Sequence, residues 1–526
     1  MRFLILALVL GASLGAQVPF ERILKAEAEP HNWLTYSGNY SSHRHSPLKL
    51  INRDNVGGLK ALWTYQINTL HKFETTPIVV DGVMYISEPP SDVTALDTRT
   101  GRPLWEYRRK LPKDIPVCCG EVNRGVAVLG DTVYIGTLDA HLVALDAKSG
   151  LVRWDVEVED YTVGQSVTVA PLAVKDKIVV GIAGGEYGVR GFLDAYDAKT
   201  GERAWRFWTV PGPGEPGNET WAGDSWKRGA ATTWVTGSYD PDLNLVYWGT
   251  GNPGPDWNGE VREGDNLYSD SLIALDADSG KLKWYFQFTP HDVHDWDATE
   301  VPVLIDGTVR GQKRKLVLFA NRNAFYYVLD RETGEFLLGK PYAKQTWAKG
   351  LDDSGRPMRL PNTAPTLEGT LVYPAVPGAT NWFSPSYSPA DHLFYVNVTE
   401  MGHIYHMGEA IFKAGSRYSA GGARRIPGEE PYAEIRAFVP ETAELKWAFR
   451  LQRPPRAGLL STAGGLVFGC SAEGDFFALD SQSGKPLWRF QTGGGMYSNP
   501  MSFAVDGKQR IAIAAGHGLY VFGLGE

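Results

Sequence analysis

Cys118 and Cys119 are adjacent in VPVCCGEVNRG, and Cys470 is the only other cysteine of the chain. Neighbouring thiols cannot grip a metal from two sides as a CxxC pair does. In an oxidising compartment they can close an eight-membered ring, which constrains almost no chain and so is a poor staple. A rigid, flat sulfur surface and a redox element are the uses that chemistry leaves, beside the plain alternative of two small buried apolar side chains. Glu186 gives a second signal, amid glycines and apolar residues in GIAGGEYGVRG. A carboxylate in such surroundings is paired or metal-bound, because desolvating it alone is costly; a surface pair with Arg190 is the competing reading. Asn252 in GTGNPGPDWN offers a neutral amide oxygen, or serves as a turn residue. The segment FTPHDVHDWDATE brings Asp292, Asp295 and Asp297 close together, and such carboxylates need a cation or a shared proton. If the segment is extended, Asp295 and Asp297 point the same way. Glu, Asn and Asp are hard oxygen donors that suit Ca2+ or a similarly hard, larger ion better than Zn2+. His291 and His294 form an HxxH with no third His or Cys nearby, a weak zinc signal.

The elements that must position these groups are written as a repeat: a strand ending in Asp, a T-G or S-G pair, and Trp four residues after the Gly. ALDTRTGRPLW ends at Trp105, ALDAKSGLVRW at Trp154, AYDAKTGERAW at Trp205, ALDADSGKLKW at Trp284 and ALDSQSGKPLW at Trp488. VLDRETGEFLL is a degraded copy with Leu338 in the Trp position, and weaker copies end at Trp63 and Trp447, which makes eight. The Gly takes the positive φ of a hairpin turn, and an upstream strand such as DTVYIGT precedes most copies. Four short strands in each 40–50 residue period, roughly, make a propeller blade. The fold class expected is therefore all-β: an eight-bladed β-propeller of four-stranded antiparallel blades, its ring closed by pairing of the N- and C-terminal strands. The high content of Gly (59), Trp (17) and Tyr (24) agrees with many tight turns and aromatic packing. A long stretch from Thr209 to about Tyr268, rich in Gly, Pro, Asn and Trp, breaks the period and marks a functional loop region.

The first residues, MRFLILALVLGASLGAQ, read as a secretory signal over residues 1–16, because the apolar run is too short to span a bilayer. No later stretch reaches the length of a membrane helix. The remaining 17–526 is expected to be a single propeller domain, exported to the periplasm, where a Cys118–Cys119 disulfide is permitted. The net charge of −8 gives no hint of nucleic acid and is compatible with a cationic partner protein.

Taken together and in this order, the CCxxVNRG segment, the GGE loop, GTGNP, the TPHDxxDWD-like segment and the repeat resemble the pyrroloquinoline-quinone (PQQ)-dependent alcohol dehydrogenases, the family that includes methanol dehydrogenase. The resemblance runs from about Asn32 to Gly523. It implies a vicinal Cys118–Cys119 disulfide on one face of the quinone and the Trp234 indole on the other. It implies that Glu74, Arg124, Thr168, Gly184, Gly185, Thr232 and Asn381 surround the quinone carboxylates and carbonyls. Glu186, Asn252 and Asp295 match metal ligands, with Asp295 also the catalytic base and Arg322 beside the reactive quinone oxygens. Relatives dedicated to calcium often carry Ala or Ser at the position of Asp297, and those that use lanthanides carry Asp. The pattern here is the lanthanide type, since a trivalent ion favours one more negative ligand; Ca2+ is the alternative, with Asp297 then free to pair with an Arg.

The activity implied is oxidation of a primary or secondary alcohol to an aldehyde or ketone, with electrons leaving to a separate soluble cytochrome c, since no CxxCH occurs. A small subunit or a homodimer is compatible with the resemblance. The rival readings are a sugar or polyol dehydrogenase of the same fold and a non-catalytic propeller scaffold for outer-membrane protein assembly. The scaffold has no use for the carboxylate cluster or the cysteine pair.

Overall fold

A computed structural model describes residues 18–525; the expected signal sequence lies outside them. Seven four-stranded antiparallel sheets and one five-stranded sheet follow one another along the chain. Each repeat copy folds as its residues suggest. The strand Asp92–Asp97 turns at Thr100–Gly101 into Pro103–Tyr107, and His141–Asp146 turns at Ser149–Gly150 into Val152–Glu157. The repeat Asp organises the turn: Asp146 Oδ1 accepts from the backbone N–H of Lys148 and Ser149 and from the Ser149 hydroxyl. The first long strand, Leu59–Gln66, pairs antiparallel with the last, Gly518–Leu524, so the two ends of the chain complete one sheet.

The Trp–Gly spacing has a physical cause that reaches from one sheet to the next. The Trp63 indole N–H donates to Thr98 O, Trp105 to Ala147 O, Trp154 to Ala198 O, Trp205 to Ala277 O and Trp284 to Arg331 O. Trp447 reaches Ser481 O, and Trp488 returns to Leu59 O in the first strand. The rings of Trp63, Trp105, Trp154, Trp205, Trp284 and Trp447 each lie on the turn glycine of the following sheet: a Cβ on Gly150 would come within 2.5 Å of Trp105. Gly150 also has φ +73, so both its missing side chain and its backbone freedom are used. Gly150→Ala is therefore expected to cost about 2–4 kcal/mol through overpacking and backbone strain, read from the urea midpoint. Gly130 supplies the control. Its φ is +63 with nothing near its missing Cβ, so Gly130→Ala carries the backbone part alone, about 1 kcal/mol.

Two regions depart from the sequence reading. The stretch from Thr209 to Tyr268 is not all insertion: LNLVYWGT, an upstream strand by its sequence, forms Leu245–Gly249, and with the unforeseen Ser238–Asp240 it belongs to the regular sheet completed by Ser271–Asp276 and Leu282–Gln287. A second excursion, unrecognised in the sequence, leaves after Phe336–Pro341. It forms the small sheet Ala348–Leu351 with Pro357–Arg359, and a three-stranded sheet of Thr370–Val372, His403–Met407 and Gly421–Arg425. No helix of the described residues is long and apolar enough to cross a membrane.

Candidate active site

Sheet topology brings the expected residues to one end of the sheets. Glu74 precedes the first strand Ile78–Val80 of its sheet, Arg124 precedes Ala127–Leu129, and Thr168 precedes Leu172–Val174. Thr232 and Trp234 precede Ser238–Asp240, Asp295 and Asp297 precede Val303–Val309, and Asn381 precedes Ser386–Ser388. The others lie between second and third strands: Gly184, Gly185 and Glu186 after Lys177–Gly181, Asn252 after Leu245–Gly249, and Arg322 after Gln312–Ala320. In an antiparallel meander the start of the first strand and the connection from second to third strand share an end. The T-G and S-G turns occupy the opposite end, which separates the structural repeat from the chemistry.

Asp297 and Arg322 lie at the centre of the cluster. Arg322 Nη1 donates to Asp297 Oδ2, Arg322 Nη2 donates to Val376 O at 2.6 Å, and Asp295 Oδ1 stands 3.7 Å from Nη2. Asp297 Oδ1 accepts the backbone N–H of Asn252 at 2.7 Å. The pairing of Asp297 with an Arg, left open by the sequence, is thus made, and the partner is Arg322. The segment is not extended as expected, because Asp295 has φ +61; both carboxylates nevertheless address the same guanidinium. Burial pushes the Asp295 carboxyl well above its usual range, Arg322 opposes this, and Asp297, Asp256 and Glu186 add to it. Burial likewise raises Asp297, against Arg322, and raises Glu186, with Asp297 adding to it. Arg322 keeps its charge despite burial because Asp297, Asp295 and Glu300 surround it.

Glu186 does not form the surface pair with Arg190, which instead binds Glu215 and Val210 O. Glu186 Oε1 lies 3.7 Å from Cys119 Sγ, and Cys118 and Cys119 form the expected disulfide while Cys470 is free and buried. On another flank, Arg124 pairs with Glu74 at 3.0 Å and donates to Thr168 Oγ1 at 2.9 Å. Its guanidinium lies 4.9 Å from the Trp234 ring centre and 4.7 Å from that of Trp382. Gly184 packs where a side chain would not fit, since a Cβ would meet Gly164 O at 2.2 Å, whereas a Cβ on Gly185 would lie 3.3 Å from Ala230 Cβ and 3.4 Å from Thr232 Oγ1. Asn381 donates to Pro377 O and accepts from the Trp382 N–H.

Asp292, His291 and His294 are structural. Asp292 accepts the backbone N–H groups of His294 and Trp296, His294 stacks on Trp296, and the two histidines bond separate carbonyls, Gly264 O and Thr363 O. Sequence reasoning missed Asp256, which accepts from Asn252 Nδ2 at 2.9 Å, and Arg262, which bonds both Pro255 O and Asp292 O and so ties the Asn252 loop to the Asp295 segment. It also missed the loop around Arg417, whose guanidinium donates to Cys118 O while the Tyr418 N–H donates to Glu186 O. Asp270 and Glu300 were missed too; they are buried with no hydrogen bond to either carboxylate oxygen among the described residues.

A ring of sheets carrying a carboxylate–amide–guanidinium cluster beside a vicinal disulfide defines the class. The chain belongs to the PQQ alcohol dehydrogenase family: the family described as "PQQ: Glucose/ethanol/alcohol dehydrogenase, beta-propeller domain" matches residues 33–340 and 423–511. The unmatched stretch between them holds most of the second excursion together with the strands Ser386–Ser388 and Leu393–Glu400 of a regular sheet. Among particular proteins, the chain is 38% identical to the quinoprotein alcohol dehydrogenase PedH of Pseudomonas putida, over 97% of this chain and 90% of that protein. The structure of a europium-containing methanol dehydrogenase superimposes with a TM-score of 0.91 at 33% identity, covering 96% of this chain and all of that one (100%). The quinohemoprotein alcohol dehydrogenase of Comamonas testosteroni gives 0.92 at 34% identity, covering 97% and 82%.

Proposed function

We propose that this chain is a periplasmic quinoprotein that oxidises primary or secondary alcohols to aldehydes or ketones on an eight-bladed propeller formed by residues 17–526. It would use PQQ and one hard cation, a lanthanide in preference to Ca2+. What supports this reading is that Asp297 bonds both the Asn252 backbone N–H and Arg322, that Asp295 stands 3.7 Å from the same guanidinium, and that the buried Glu186 carboxyl feels the charge of Asp297. Three carboxyls whose ionised forms burial disfavours, with an amide among them, are a donor set for a highly charged oxygen-seeking ion. The other flank suits a flat polyanion: Arg124 lies beside two indoles with its Nε unpartnered, and Gly185 presents no side chain beside Thr232. When bound, the quinone supplies the acceptor for two electrons.

The chain's own part is to bind, orient and move a proton. Trp234 and the disulfide of Cys118 and Cys119 offer apolar, polarizable surfaces for a planar ring, and Glu74, Arg124, Thr168, Thr232 and Asn381 supply polar contacts at its edge. Asp295 takes the hydroxyl proton of the alcohol, acting as general base. Its side chain is 24% exposed, whereas that of Asp297 is 9% exposed and held by two donors. Arg322 places a fixed positive charge beside it, where negative charge develops. An exposed Cys119 in a disulfide and the apolar leader at residues 1–16 support export, and the acidic net charge suits a cationic acceptor, which we take to be a separate soluble cytochrome c. A small subunit or a homodimer is compatible with this scheme.

The test is reconstitution of chelator-treated protein with PQQ and either lanthanum or calcium, followed by alcohol-dependent dye reduction. Turnover with lanthanum and primary or secondary alcohols is expected. Absence of turnover with both ions would refute the reading, and turnover with calcium alone would reverse the choice of ion.

A further inference from the structure

Asp256 has no role in the chemistry described so far. It sits four residues beyond Asn252 in GTGNPGPDWN, is 3% exposed, and accepts one hydrogen of the Asn252 side-chain amide at 2.9 Å. The same Nδ2 points its other hydrogen at Pro253 O, 3.3 Å away. Both amide hydrogens are therefore directed at fixed acceptors, and among the described residues no donor is bonded to Asn252 Oδ1. This orientation is not what an asparagine among carboxylates adopts unaided. Beside Glu186, Asp295 and Asp297, the attractive arrangement for a free amide is to turn its NH2 toward those oxygens, which rotation about one bond achieves. Asp256 opposes that rotation: a flipped amide would set its oxygen against Asp256 Oδ1 and lose the hydrogen bond that this oxygen now accepts.

We propose that Asp256 is a positioning residue of the ion site, which locks the Asn252 amide so that its oxygen, not its nitrogen, faces the carboxylates. The inference rests on the ion site proposed above. It has the form of an outer-shell contact that orients a ligand, and loss of such a partner typically weakens ion binding by about 10–100-fold. The loop has its own anchor in Arg262, which bonds Pro255 O and Asp292 O, so the effect of Asp256 on the amide is separable from loop folding.

The experiment titrates the chelator-treated full chain with europium alone and with calcium alone, following europium luminescence and, for calcium, calorimetry. Asp256→Ala is expected to weaken both ions by about 10–100-fold, with one additional water on europium by luminescence lifetime. Asp256→Asn keeps an acceptor oxygen at the same place and is expected to recover most of the affinity. Melting temperature in chelator should not move; if the alanine variant melts early, Asp256→Leu, which fills the space without an acceptor, replaces it. Equal losses in the Asn and Ala variants would overturn the proposal in favour of a pure charge effect. Unchanged binding in Asp256→Ala, while Asn252→Ala loses the ion, would also overturn it and leave the ion site standing. If Asn252→Ala and Glu186→Gln both bind normally, the ion site itself is wrongly placed and the proposal falls with it.

Discussion

Asp295→Asn is expected to lower kcat for alcohol oxidation by about 10²–10⁴-fold, the range a positioned general base contributes, with the quinone still bound and its absorbance retained. Asparagine is the informative replacement because residue 295 has φ +61, a conformation that Asn adopts far more readily than Ala. The variant thus removes the basic oxygen without forcing the backbone. The expectation follows from how the two neighbouring carboxylates are used. Asp297 has both oxygens occupied by Arg322 and the Asn252 N–H, whereas Asp295 reaches Arg322 only at 3.7 Å and keeps part of its side chain open. Burial disfavours the ionised form of Asp295, and Arg322 opposes this. The groups that flank the quinone's expected place, Trp234, Arg124 and the disulfide, are untouched by the change. Loss of quinone absorbance together with activity would make Asp295 a structural residue, and retained activity would remove it from the mechanism.

The parts of this molecule legible in its sequence are those whose physics recurs at fixed spacing. The Trp–Gly repeat is visible because the indoles of six copies rest on a glycine of the next sheet, so the pair is written into most copies. Where Leu338 replaces Trp the copy is still recognisable from its Asp and T-G turn. The core of the site is legible for a different reason: Glu186, Asn252 and the 292–297 carboxylates stand in glycine-rich or apolar contexts where a lone charge demands an explanation. What stayed hidden depends on partners far apart in the chain. Arg322 meets Asp297 across 25 positions, and Arg417 meets Cys118 across 299; the family pattern names the first and nothing in the sequence names the second. Asp256 and Arg262 look like ordinary loop charges until the turn that buries them is seen. The excursion after Pro341 was missed because it carries no Trp copy and its short strands lack a long alternating pattern.

Asp297→Ala should separate the two ions. The carboxylate's attraction to a cation scales with the ion's charge, so a trivalent ion loses half as much again as a divalent one at equal distance. In a buried site that difference is expected to make the loss of lanthanide binding and lanthanide-dependent turnover at least about tenfold greater than the loss with calcium. Asp297 also holds Arg322 through Oδ2 and the Asn252 backbone through Oδ1, so its removal frees a guanidinium that the proposed mechanism uses with either ion. That second effect is blind to the ion's charge. Asp297→Asn keeps an acceptor for one of these donors while deleting the negative charge. If the carboxylate acts as an ion ligand, Asn and Ala should be similarly poor with lanthanides, and Asn should retain more of the calcium activity. If its main work is to hold Arg322, both variants should lose activity equally with both ions, and ion affinity measured without substrate should scarcely change. That outcome would move Asp297 out of the ligand set and leave Glu186, Asn252 and Asp295 as the site.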